Sequence, residues 1–345
     1  MKITPFLLLA ACLTLFLPSY GQKSNNQPGK GEETYFCFKV TSKEELKSLT
    51  HQISIDNYRN DTVWAYANSR QFHQFSSSGY EISILPHPGD GPGVVMRDQV
   101  KLLKGAKTTW NFYPTYDAYV ALMNDFQAMY PTLCHIETIT TLPSGRKILV
   151  AKISDNVTTD EAEPEFLYTS SMHGDETTGY VLMLQLIEYL LQNYGTNQEA
   201  TDLVNNMEIY INPLANPDGT YYGGNNSVSG ARRYNINGVD LNRNYPDPED
   251  GDHPDGYAWQ PETVAFMNFA GQHDFVAAAN FHGGVEVVNY PWDTWATRSA
   301  DDDWWQFVSR EYADTVHEHA VSGYMDYLDN GITNGYDWYE VAGGR

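Results

Sequence analysis

His173 and Glu176 stand three residues apart in Met172-His173-Gly174-Asp175-Glu176, directly after an apolar run. One turn of chain at that spacing brings an imidazole nitrogen and a carboxylate oxygen to a single ion. His282 closes a second apolar run, Val276 to Phe281, and is followed by Gly283-Gly284, where the backbone can bend closely around a bound metal. Two histidines and a glutamate leave one position of a tetrahedral zinc ion open to water. Such an ion lowers the pKa of its water to about 7 and polarises a carbonyl, which is the chemistry of peptide hydrolysis. His-x-x-Glu alone also fits an ordinary polar loop, so His282 carries the added weight.

Between these ligands lies Arg232-Arg233-Tyr234-Asn235, followed by Asp240-Leu241-Asn242-Arg243-Asn244. A buried arginine beside an asparagine amide can grip a carboxylate through parallel charge-assisted hydrogen bonds. A second arginine nearer the metal can stabilise an oxyanion, and Arg232 and Arg233 are rivals for that role. Other candidates are poorer. His317 and His319 are two apart on an expected helix and diverge. The acidic loop Asp247 to Asp255 is a possible calcium site by its carboxylates, but it does not follow a dedicated calcium-loop pattern. The sequence places no partner for His51, His73, His87, His135, His253 or His273.

Both metal histidines fall at the carboxyl ends of expected strands, where open α/β sheets hold their ligands. The expected strands are Cys134 to Thr141, Lys147 to Ser154, Glu165 to Ser170, Met207 to Ile211 and Val276 to Phe281. Helices are expected after Thr115, from Thr177 to Asn193 and from Asp303 to Ala320. Alternation of this kind gives an α/β fold, a mixed, mainly parallel sheet with helices on both faces. Upstream, residues 34–86 read as β-α-β-β-α-β, a small α+β ferredoxin-like unit, with Ser42 and Glu45 as a capping box. Residues 87–109 form a linker and connecting helix. It opens with Pro88-Gly89-Asp90-Gly91-Pro92-Gly93 and continues as an amphipathic stretch carrying Arg97, Lys101, Lys104 and Lys107. Those basic residues are either processing sites or a solvated helix face.

Residues 1–21 have the layout of a cleaved secretory signal, a lysine followed by an apolar run from Phe6 to Leu17, and residues 22–33 read as a flexible leader. The expectation is a secreted protein, extracellular or periplasmic, with no transmembrane segment once the signal is removed. Lipoprotein processing at Cys12 is disfavoured because it would fall inside the apolar run. Cys37 and Cys134 read as two buried thiols rather than a disulfide framework. The 44 acidic against 21 basic residues give a net charge of -23, which repels phosphate backbones and excludes nucleic acid as a partner.

Taken together, His173-Gly174-Asp175-Glu176, Asn216-Pro217-Asp218-Gly219, Asp240-Leu241-Asn242-Arg243-Asn244, Phe281-His282-Gly283-Gly284, Asn289-Tyr290-Pro291-Trp292-Asp293 and Asn330-Gly331-Ile332-Thr333-Asn334-Gly335 resemble the zinc metallocarboxypeptidases of the A/B and N/E type. The N/E branch is the nearer match, over Trp110 to Arg345. The resemblance implies one Zn2+ per chain on His173, Glu176 and His282, with Arg233 as the oxyanion arginine. It makes Asn242 and Arg243 the clamp on a substrate's terminal carboxylate, and Tyr339 the tyrosine that closes over the substrate. Asp293 matches an aspartate near the specificity pocket, which implies substrates ending in Lys or Arg, although an aspartate after Pro291 also suits a turn. The unit at 34–86 is similar in order to the pro-domains of secreted carboxypeptidases. The family's general-base glutamate belongs beyond Gly344, and neither Glu286 nor Glu340 matches it, so residues 110–345 are expected to be a truncated and catalytically impaired peptidase domain. The implied partners are peptides or proteins with a free C-terminus. Alternatives from other classes are a non-catalytic zinc-dependent binder of peptide C-termini and an amidohydrolase on a related scaffold.

Overall fold

The computed structural model describes residues 32–91 and 93–338, so the signal, most of the leader and Tyr339 lie outside the described residues. Strand β1 (Glu33–Lys39) is followed by helix α1 (Glu45–Leu49), strands β2 (Ser54–Arg59) and β3 (Thr62–Asn68), helix α2 (Ser69–Phe75) and strand β4 (Ser83–Ile84). The strands form an antiparallel sheet in the order β2-β3-β1-β4. Alternation along β1 turns Phe36 and Phe38 inward onto Leu46, Val63 and Phe75. The turn between β2 and β3 places Asn60 and Asp61 at φ +50° and +59°. Two consecutive left-handed residues suit the twist of a tight hairpin, and Asn and Asp tolerate them.

Local signals in this unit are partly as expected. Helix α1 starts later than a Ser42 cap would place it, with Glu44 in the N-cap position and no side-chain cap bond. Glu45 still reaches back to the N–H groups of Thr41 and Ser42 at 2.8 and 3.2 Å. Strand β1 begins at Glu33, inside the stretch expected to be leader, and Cys37 is half-buried rather than buried.

The connecting helix expected between 94 and 107 does not form. Instead β5 (Met96–Arg97) pairs in parallel with β6 (Tyr113–Pro114), and the remainder is irregular. Val94 and Val95 favour extended backbone, Arg97 stacks over the Phe112 ring at 4.1 Å, and Lys104 lies 5.6 Å from the ring of Tyr130. Tertiary contacts of this kind outweigh the weak helical periodicity.

The larger unit continues with α3 (Tyr116–Met129), β7 (Cys134–Thr141), β8 (Lys147–Ile153), β9 (Glu165–Ser170), α4 (Thr178–Asn193), α5 (Gln198–Asn206), β10 (Glu208–Asn212), α6 (Pro217–Thr220), α7 (Pro261–Ala270), β11 (Phe275–Phe281), β12 (Val288–Tyr290), α8 (Asp302–His319) and β13 (Ile332–Asn334). Five strands form a mixed sheet in the order β11-β9-β10-β8-β7, with β11-β9 and β9-β10 parallel and the other two pairs antiparallel. On one face Leu122 and Phe126 of α3 and Leu184 and Ile187 of α4 pack over Ile153, Ile209 and Ile211. Each such buried side chain contributes about 1.5–3 kcal/mol. On the other face Phe269 of α7 meets Val150, Leu167 and Tyr210. Helices α5 and α7 and the β12–β13 pair leave no trace in the hydrophobic pattern, because short elements offer too few turns of periodicity.

Candidate active site

Strand β9 ends in Ser170, and Ser171 takes φ +55°, a left-handed residue that turns the chain out of the sheet. Its hydroxyl donates to Glu176 O at 3.0 Å, which tightens the loop carrying His173. Gly174 is required by contact. A Cβ there would stand 2.4 Å from Gly219 C and 2.5 Å from Arg232 O, both backbone atoms. Strand β11 pairs in register with β9 through Phe281 and Ser170, so His282 emerges beside His173.

The three side chains converge. His173 Nδ1 lies 2.9 Å from Glu176 Oε1, His282 Nδ1 lies 2.8 Å from Glu176 Oε2, and the two Nδ1 atoms are 3.1 Å apart. Their side chains are 2, 14 and 34% exposed in the order His173, Glu176, His282, so the cluster is closed on the protein side and open beyond His282. Two imidazole nitrogens facing each other across 3.1 Å cannot both present bare lone pairs; a cation or a proton must stand between them. Ligand atoms at about 2.0–2.1 Å from a tetrahedral zinc ion are about 3.3 Å apart, close to these separations. The donor set and its shape therefore fit zinc.

Outer contacts hold the cluster in place. His173 Nε2 faces Asp240 Oδ1 at 3.0 Å, which leaves Nδ1 free to ligate. Asp240 Oδ2 accepts from Arg233 Nε at 3.2 Å, and Arg233 Nη1 reaches Glu176 Oε1 at 3.4 Å. Gly283 N–H donates to Glu176 Oε2 at 2.9 Å. Burial works against ionisation of Glu176, but His173 and His282 outweigh it and hold its carboxyl well below the usual range. Asp240 behaves likewise, with Arg233 and His173 opposing the cost of burial. Burial, then Glu33 and Glu176, push the Asp175 carboxyl up to about 7.

The remaining expected residues divide. Arg233 is buried against Asp240, whereas Arg232 turns away to Asp90 at 2.9 Å, so geometry separates the two rivals. Asn242 and Arg243 follow Asp240 in a short 3-10 turn, where Asn242 N–H donates to Asp240 Oδ1 at 3.0 Å. Arg243 Nη1 donates to Asn242 O at 3.0 Å, and its buried Nε has no hydrogen-bond partner. Asp293 accepts from Asn289 Nδ2 at 3.0 Å; burial raises its pKa while Asn289 and Arg243 pull it down. In the acidic loop, Asp247 Oδ1 accepts from Glu249 N–H and Asp250 N–H at 2.8 and 2.9 Å, an ordinary turn.

Several residues at the site had no sequence signal. Ser54 Oγ donates to Asp240 Oδ2 at 2.6 Å, and Asn68 Nδ2 donates to Gly238 O at 2.7 Å. The Glu33 carboxylate accepts from the N–H groups of Arg233 and Tyr234 at 3.1 and 2.8 Å and lies 2.6 Å from His87 Nε2. Tyr66 lies under the Arg233 guanidinium at 5.4 Å. All of these come from the first 90 residues. Asp240 alone stood inside a recognisable segment.

An α/β sheet with a His-Glu-His cluster at the ends of two parallel strands defines a metallohydrolase architecture. A family model described as zinc carboxypeptidase matches residues 119–345, and the chain belongs to that family. It is 39% identical over 234 residues to carboxypeptidase D of Mus musculus, covering 64% of this chain and 17% of that protein. Against the carboxypeptidase N catalytic chain of Homo sapiens it is 34% identical over 265 residues, 66% of this chain and 58% of the relative. The chain thus spans about a sixth of the carboxypeptidase D relatives it matches. Among solved structures, carboxypeptidase A from Helicoverpa armigera shares the fold at a TM-score of 0.65, with 17% identity, 91% of this chain and 84% of the other covered. Thrombin activatable fibrinolysis inhibitor does so at 0.62, with 17% identity and coverage of 90% and 86%.

Proposed function

We propose that this chain binds one Zn2+ through His173, Glu176 and His282 and acts on the C-terminal peptide bond of peptides or proteins, favouring terminal Lys or Arg. The convergence of three ligand atoms, with the Arg233 side chain and the Asn242 and Arg243 backbone anchored on Asp240, carries the reading. When bound, zinc supplies an activated water and a polarised carbonyl. Arg233, fixed by Asp240, donates toward the developing oxyanion. Arg243, whose Nε has no protein acceptor, and Asn242 hold the terminal carboxylate, and Asp293 beside them receives a basic side chain. Tyr339 closes over the substrate in this reading, by resemblance alone. Neither Glu286 nor Glu340 takes the general-base role in this reading. Glu286 Oε2 accepts from Met325 N–H at 3.0 Å, and Glu340 lies outside the described residues.

The unit at 34–86 acts in this proposal as an inhibitory pro-domain. The cavity beside Arg243 and Asp240 is lined also by Thr50, His51, Ile53, Ser54 and Gln71, and holds about 20 Å³, room for about one water. In this reading the docked unit narrows the space beside Arg243. Secretion remains part of the proposal; no helix among the described residues is long and apolar enough to cross a membrane.

The test is zinc analysis with titration of an Arg-terminated peptide and its C-terminal amide. One zinc per chain and binding lost on amidation are expected. Equal binding of acid and amide would exclude the carboxylate clamp. Turnover of the acid separates a peptidase from a non-catalytic binder.

A further inference from the structure

Arg233 and Tyr234 present two consecutive backbone N–H groups to the first unit, and one side chain takes both. The Glu33 carboxylate accepts from Arg233 N–H at 3.1 Å through Oε1 and from Tyr234 N–H at 2.8 Å through Oε2. A third donor completes the set. His87 Nδ1 accepts from Gly89 N–H at 3.0 Å, so His87 carries its proton on Nε2, which lies 2.6 Å from Glu33 Oε1. The Glu33 and His87 side chains are 2 and 7% exposed. A carboxylate so enclosed needs donors on both oxygens, and three are in place.

Arg233 is the residue on which contacts from both units converge. Its C=O accepts from Gly174 N–H of the metal loop at 3.1 Å, and its guanidinium meets Asp240 and Glu176 at 3.2 and 3.4 Å above the Tyr66 ring. Its main chain is therefore strung between the metal loop on one side and the first unit on the other. Arg233 and Tyr234 are 6 and 1% exposed, so without Glu33 two buried donors would lie unpaired. The segment would have to shift to relieve them, and the guanidinium would shift with it. Ser54 Oγ and Asn68 Nδ2 of the first unit end elsewhere, on Asp240 Oδ2 and Gly238 O.

We propose that Glu33 is a positioning residue for the oxyanion donor, so that the first unit helps to build the active site it covers. The proposal rests on Arg233 as that donor. Glu33 lies outside residues 119–345, the part of the chain that the family model matches. A misplacement of about 1 Å in an aligned group can cost about 100-fold. The carboxylate clamp is held independently of Glu33, because Asn242 and Arg243 donate their own N–H groups to Asp240 at 3.0 Å each. Loss of Glu33 should therefore harm recognition of a tetrahedral anion and spare recognition of a terminal carboxylate.

The experiment titrates the full, zinc-loaded chain by calorimetry with two ligands, an Arg-terminated peptide and its phosphonate analogue, in which a tetrahedral anionic phosphorus replaces the last amide carbonyl. The parent should prefer the phosphonate, and Arg233→Ala should lose that preference. Glu33→Gln cannot serve three donors, because its amide nitrogen accepts nothing. It should cut the preference about tenfold, short of the roughly 100-fold or more of removing an oxyanion donor outright. Affinity for the peptide itself should hold or rise as the docked unit loosens. His87→Ala, which removes a donor to Glu33 without touching Arg233, should cut the preference by less. Unfolding would lower both affinities and undocking alone would raise both, so the ratio reports positioning. An unchanged ratio in both variants, whatever the separate affinities do, would overturn the role of Glu33. A parent with no preference, or one that survives in Arg233→Ala, would instead overturn Arg233 as the oxyanion donor.

Discussion

At the residue scale, the His173–Glu176–His282 cluster is held by groups outside it. Asp240 is buried, receives Arg233 Nε and Ser54 Oγ, and faces His173 Nε2, so one carboxylate orients both the proposed ligand His173 and the proposed oxyanion donor Arg233. Replacing it by Asn keeps the shape but removes the charge that orients the imidazole. Asp240→Asn should weaken zinc binding about 10–100-fold, the usual effect of removing such a partner. Competition with a chromogenic chelator measures it, and unchanged affinity would mean that Asp240 serves the fold alone. Asp240 was legible as part of a recognisable segment, but its role was not: His173 lies 67 residues away in the chain.

The element scale explains why the metal loop tolerates so little change. Strands β9 and β11 are parallel neighbours, and their carboxyl ends set His173 and His282 side by side. Between β9 and α4 the chain makes one tight loop, closed by Ser171 at φ +55° and threaded past the segments around Gly219 and Arg232. Gly174→Ala would drive a methyl group into backbone atoms at 2.4–2.5 Å. Backbone cannot move aside as a side chain can, so this substitution should cost about 3 kcal/mol or more and lower both Tm and zinc content. A variant with the parent's Tm and full zinc would show that the loop is looser than its contacts indicate. Strand and helix types for β7, β8, β9, α4 and α8 follow from periodicity, whereas the 94–107 segment shows where periodicity fails. Its apolar spacing is helical, but the short β5–β6 pairing and the Arg97–Phe112 stack fix it as extended chain.

For the whole molecule, the decisive arrangement is the first unit docked on the second. Glu33, Ser54, Asn68 and Tyr66 reach across to Arg233, Tyr234, Asp240 and Gly238. These contacts close the space around Arg243 and bear directly on the proposed inhibition. Cleavage between 94 and 107 should raise affinity for an Arg-terminated peptide at least tenfold. Ser54→Ala should raise it partway in the uncut chain, because it removes the buried contact to Asp240. Peptide titration before and after limited proteolysis checks both, and unaltered binding on cleavage would overturn the inhibitory role.

The sequence by itself determined the placement of His173 and His282 at strand ends and the β-α-β-β-α-β order of the first unit. Each of these is written in local spacing: His-x-x-Glu in one turn, glycines after His282, alternation in β1. Tertiary structure alone decided that Arg233 rather than Arg232 joins Asp240, and that Glu33 belongs to a strand and an interface rather than a leader. Those outcomes depend on groups up to 201 residues apart in the chain meeting in space. Burial decides which polar groups must be satisfied and by whom, and no local pattern carries that information.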